Sequence, residues 1–116
     1  MLFHACYNPI DDIDGFFGFS IKDGVILVKE AREEYGGINS DGSYIYVYYI
    51  TDSSIISHAK EKFYPYKNAG RDANTIEEIY LINTAGYYQT ITSEQEVKSL
   101  YIDTISNNLI FSDILL

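Results

Sequence analysis

The sequence predicts an α+β domain. Its expected form is a mainly antiparallel sheet of about six to seven strands built from hairpins, with two helices packed on one face. Three observations lead there. Short runs rich in β-branched and aromatic residues recur along the chain. Turn signals such as Asp23-Gly24, Asn39-Ser40-Asp41-Gly42 and Ala85-Gly86 separate them. Two longer segments, about 53–63 and 93–106, show helical spacing behind an N-terminal cap signal.

Residues 2–7 read as a first strand, broken by Asn8-Pro9, and Asp11-Asp12-Ile13-Asp14-Gly15 reads as an acidic loop. Residues 16–21 and 25–28 read as a hairpin around Asp23-Gly24, because glycine accepts the positive φ of a tight turn. Residues 30–34 read as a short helical turn ended by Gly36-Gly37.

The tyrosine-rich run 43–51 follows as a strand. Alternation sends Tyr44, Tyr46 and Tyr48 to one face and Ile45, Val47 and Tyr49 to the other. Thr51-Asp52-Ser53 offers a cap for the first helix, whose Ile55, Ile56, Ala59 and Phe63 share a side until Pro65. Residues 64–75 are irregular and locally basic. Residues 76–83 and 87–92 read as a second hairpin. Ser93-Glu94-Gln95-Glu96 matches a capping box, and Val97, Leu100, Tyr101, Thr104 and Ile105 supply the stripe of a second helix. A short strand at 109–111 ends the pattern.

The 116 residues suit one domain, which at that size buries about two thirds of its unfolded surface. Cys6, the one cysteine, excludes an intrachain disulfide, and no signal segment or membrane-length apolar run is visible. A cytoplasmic setting is the expectation.

Charge is the outlier. Seventeen acidic residues against eight basic ones give a net charge of −9. Such a surface repels nucleic acid and anionic lipid, and draws basic proteins. The bias concentrates in residues 1–52, where nine acidic and three basic residues leave −6.

Recognised chemistry finds no home. His4 and His58 are far apart in sequence, and no zinc spacing exists. The Asp12-Ile13-Asp14-Gly15 run fails as a calcium loop, because isoleucines occupy its first and twelfth ligand positions. No nucleophile elbow, P-loop or dinucleotide fingerprint occurs. Neither an enzyme nor a cofactor or metal site is expected. The basic stretch around Lys60, Lys62, Lys67 and Arg71 lies in a half that is still net acidic, against nucleic-acid binding.

The expected partner is therefore a basic protein. Candidate contact residues are Asp11, Asp12, Asp14, Glu33, Glu34 and Asp41 with Tyr44, Tyr46 and Tyr48. The tyrosines serve on the expectation that Ile45 and Val47 face the core and leave them outward. An immunity protein that neutralises a basic, nuclease-type toxin fits this description. A phage-encoded anti-defence inhibitor or an antitoxin fits the same residues. An assembly subunit that self-associates and a small ligand-binding domain are the readings from other classes.

Overall fold

The structure is a computed structural model that describes residues 8–34, 42–67 and 80–115. The expected strand at 2–7, Cys6, Asp41 and the core of the 64–75 stretch lie outside those residues, wholly or in part.

Among the described residues the architecture is a six-stranded antiparallel sheet with two helices. In chain order the elements are α1 (Pro9–Phe17), β1 (Val25–Glu34), β2 (Gly42–Ile50), α2 (Ser53–Lys62), β3 (Tyr64–Lys67), β4 (Ala85–Thr92), β5 (Glu96–Asp103) and β6 (Asn108–Leu115). The strand order across the sheet is β1-β2-β6-β5-β4-β3. After β2 the chain crosses by α2 to the far edge. Consecutive hairpins then return it through β4 and β5, so that β6 pairs beside β2.

Helix α1 occupies the segment that reads as an acidic loop. Asn8-Pro9 starts this helix: the Asn8 carboxamide accepts from the Ile10 amide at 3.1 Å, and Pro9 stands where a missing N–H costs nothing. Ile13, Phe16 and Phe17 recur at helical spacing and are buried. Gly18, at φ 79°, closes the helix in the left-handed region and donates to the Asp14 carbonyl at 2.9 Å. Asp14 Oδ1 then accepts from the Ile21 amide at 2.9 Å and anchors the exit.

The expected 16–30 hairpin does not form. Residues 22–24 make a short 3-10 turn, and β1 runs on to Glu34 in place of the helical turn expected at 30–34. Its partner is the tyrosine strand, with Val25 opposite Ile50 and Ala31 opposite Ile45. An irregularity between Leu27 and Lys29 leaves Val28 without a register partner.

Helix α2 lies within the expected span. Asp52 caps it by accepting from the Ser54 amide at 2.9 Å, which also holds the Asp52 carboxyl below its usual range. The second expected helix is instead strand. Ser93, the first residue of the capping box, does bind the Glu96 amide at 3.2 Å, but inside the turn of the β4–β5 hairpin. Lys98, Leu100 and Ile102 alternate with Val97, Ser99 and Tyr101, and packing on two covered faces overrides the helical stripe. Of the strand expected over 76–83, residues 76–79 lie outside the described residues, and residues 80–83 form a helical turn.

Both helices lie on one face. Ile13, Phe16, Phe17, Ile55 and Ala59 pack there with Tyr48, Ile50, Leu100, Ile102, Leu109 and Phe111. The opposite face is covered as well: Ile45, Val47 and Ile110 pack with Leu81 from the helical turn, beside Tyr66, Tyr80 and Tyr101. Tyr64, Tyr66, Tyr88 and Tyr101 form a ring cluster on that side, with centroids 5.4–6.1 Å apart. Burial raises the pKa of the Tyr66 phenol, whose hydroxyl donates to Thr84 Oγ1 at 2.8 Å.

Candidate functional site

Covering both faces changes the role of the tyrosine strand. Tyr48 is only 4% exposed and belongs to the core. Tyr46 is half-buried and stacks on Phe111, with centroids 6.3 Å apart and planes at 25°. Tyr44 is half-buried, opposite Asp113 in register. The three do not form an open row. The exposed tyrosine of this strand is Tyr49, on the other face.

What the strand builds instead is a cleft of about 370 Å³ at the start of α1. Asn8, Pro9 and Ile10 close one side, Leu27 and Glu30 of β1 the other, with Tyr46 and Tyr48 beneath. Register explains the grouping: Leu27 pairs with Tyr48 and Glu30 with Tyr46, so all four side chains rise on the helix face. The Glu30 carboxylate has no ion pair or hydrogen bond among the described residues. Burial first, then the nearby Tyr46 and Glu30, push the Tyr48 phenol up to about 12. The cleft therefore disfavours added negative charge and favours a cation over aromatic rings.

Across α1 from this cleft lies a second polar group. Lys98 Nζ stands 3.2 Å from Asp12 Oδ1 and 3.3 Å from Glu96 Oε1, which ties α1 to β5. Desolvation pulls the Lys98 pKa down, but the two carboxylates outweigh it and raise it. Asp113 faces Lys98 in the β5–β6 register and is 8% exposed. Its Oδ1 has no hydrogen-bond partner among the described residues. Burial, then the hydrogen bond and charge of Glu96, raise the Asp113 carboxyl to about 7, against a smaller opposing pull from Lys98.

A pH dependence follows. The folded-state pKa of Asp113 lies above its ordinary 3.8, so folding favours the protonated form. Its contribution to stability is intact below about pH 4 and is lost as pH rises through about 7. Urea unfolding at pH 5 and pH 8 should show the native protein less stable at the higher pH, by about 1–4 kcal/mol. Asp113→Asn keeps a donor for Glu96 without the charge, and should flatten that difference. Equal pH slopes in the two proteins would rule the assignment out.

The expected contact residues thus separate. Asp11 is exposed on the first turn of α1, and Asp12 sits beside it, joined to Lys98. Asp14 is committed to the Ile21 amide, a structural task. Glu33 and Glu34 belong to the end of β1, away from the Leu27–Glu30 stretch that lines the cleft. Glu30, Leu27, Glu96, Lys98 and Asp113 are the residues that sequence reasoning passed over. The apolar run Val25-Ile26-Leu27-Val28 was the available signal for β1, and Lys29 to Glu34 carries no period-two alternation that would extend it. Nothing local pairs that strand with β2. No group of three or more metal-ligating side chains with suitable placement occurs among the described residues. No helix there is long and apolar enough to cross a membrane.

Compared with protein-family models, curated proteins and solved structures, the chain matches none.

Proposed function

We propose that this protein is an acidic protein-binding inhibitor. Its most fitting form is a cytoplasmic immunity protein that neutralises a basic, nuclease-type toxin by covering the active site or an adjacent surface. The observation that carries the reading is the cleft between α1 and β1, lined by the Glu30 carboxylate, which has no ion pair among the described side chains, together with Tyr46 and Tyr48. Such a cleft accepts a lysine or arginine side chain of a partner. Asp11 lies on the adjoining first turn of α1, and Ile26, Leu27 and Val28 are exposed beside it. Carboxylates around an aromatic and apolar centre match the anatomy of a protein interface. The net charge of −9 speeds encounter with a basic partner.

The test is co-expression with the product of the adjacent gene. The expected outcome is restored growth and a complex that survives purification. In that complex Glu30→Gln should weaken affinity about tenfold or more, chiefly through faster dissociation. Asp11→Asn should instead lower the association rate and its dependence on salt. Failure of both rescue and complex formation refutes the inhibitor reading. An assembly role draws on the exposed apolar stretch of β1, and predicts a concentration-dependent oligomer of this chain alone.

A further inference from the structure

The shape of the cleft and the state of β1 together specify how a partner would approach. Among the described residues, β1 is the last strand of the sheet and its outer edge pairs with no other strand. Ile26, Leu27 and Val28 are 56%, 47% and 57% exposed, so apolar side chains stand open on both faces of this edge. Tyr49, opposite Ile26 in register, extends the apolar surface on the face away from the helices. Proteins commonly guard an edge of this kind with lysine. Lys29 is the nearest cation, and its Nζ lies over the Tyr80 ring, 5.3 Å from the centroid, on that same far face. The helix-face side of the edge keeps Leu27 and the Glu30 carboxylate, both walls of the cleft.

We propose that β1 receives an extended segment of a basic partner as an added β-strand, and that a lysine or arginine of that segment enters the cleft. This deepens the inhibitor reading and rests on it. Side chains of an added strand alternate between the two faces. Those on the helix face meet Glu30, Tyr46 and Tyr48 and must be cationic. Those on the other face meet Ile26 and Tyr49 and must be apolar. Charge complementarity selects the occupant: among the described side chains the cleft holds a carboxylate and two phenols and no cation, in a chain of net charge −9. A second copy of this acidic chain is a poorer match than a basic segment.

The probe is the peptide acetyl-Thr-Arg-Val-Arg-Val-Arg-Thr-amide at low salt, followed by amide NMR shifts and hydrogen exchange on the full chain. Binding should slow exchange along residues 25–30 and shift the amides of Ile10 and Tyr46. N-methylation of alternate peptide residues removes ladder donors and leaves the charge unchanged. It should weaken binding about tenfold or more, as should Glu30→Gln. Equal affinity for the methylated peptide, or shifts centred away from β1, overturns strand addition; the acidic-inhibitor reading then stands on the co-expression result alone. Loss of growth rescue with a peptide response intact at β1 sinks the inhibitor reading and keeps the docking edge. Outer β1 amides already protected without peptide overturn the proposal in favour of another occupant. Protection that grows with protein concentration identifies a second copy, and protection independent of concentration identifies the chain itself.

Discussion

Phe111→Ala should destabilise the protein by about 3–5 kcal/mol. Phe111 is fully buried near the middle of the sheet, in β6 between β2 and β5. Its ring meets Phe16 of α1 edge-on at 6.3 Å and lies under Tyr46 at 6.3 Å. Truncation leaves a cavity bounded by a helix and two paired strands, which cannot collapse without breaking register. The same change removes support from Tyr46, which lines the cleft. On the proposed inhibitor reading, partner affinity should therefore fall even where the variant remains folded, although Phe111 is not itself a cleft residue. Urea unfolding measures the first effect. A loss below about 1 kcal/mol would contradict the packing described.

Gly86→Ala should be more damaging, at over about 3 kcal/mol, with loss of a cooperative fold as the extreme. A Cβ at Gly86 would overlap the carbonyl oxygen of Ile102 and stand 3.2 Å from the Thr104 amide nitrogen. The obstacle is backbone, so no rotamer change relieves it. Nor can the neighbouring chain simply shift. The Ala85 carbonyl accepts from the Thr104 amide at 2.9 Å and from its hydroxyl at 3.0 Å, while the Ala85 amide donates to Asp103 Oδ1 at 3.2 Å. Asp103 also accepts from the Ile105 amide and binds the Ser106 hydroxyl, so one buried carboxylate organises the whole β5–β6 turn. Gly86 faces Tyr66 on its other side, so displacement of β4 would also loosen β3. Near-ultraviolet circular dichroism and thermal unfolding would report this. A native melting temperature in the alanine variant would refute the close approach.

Legibility differed from element to element. Helix α2 could be read because its cap, its Ile55-Ala59 spacing and its stop all agree with the tertiary outcome. The tyrosine strand could be read from composition and alternation alone. Helix α1 was hidden by residues with two meanings. Asn-Pro both breaks a strand and starts a helix, and the three aspartates around Ile13 look like a loop until Phe16 and Phe17 supply the buried side. Strand β5 was hidden by a real hydrogen-bonding signal in the wrong context. Ser93 caps the Glu96 amide as the motif requires, yet the chain beyond it is strand because both of its faces meet apolar layers.

The candidate site followed the same division. Acidity, the tyrosine strand and the acidic run at Asp11, Asp12 and Asp14 were present in the sequence. Their relation was not. Asp12 meets Lys98 across 86 positions, and Glu30 reaches Tyr46 only because β1 pairs with β2. A side chain's face on a strand follows from local alternation, which the sequence contains. Whether that face is open depends on what the rest of the chain lays over it, and α1 on one side and Leu81 on the other settled that for the tyrosine strand. Composition therefore determined an acidic, tyrosine-rich α+β chain, because charge and strand preference are properties of residues. Tertiary structure alone decided which carboxylates meet a lysine, which tyrosines are core and where a cleft opens, because long-range pairing is a property of the whole chain.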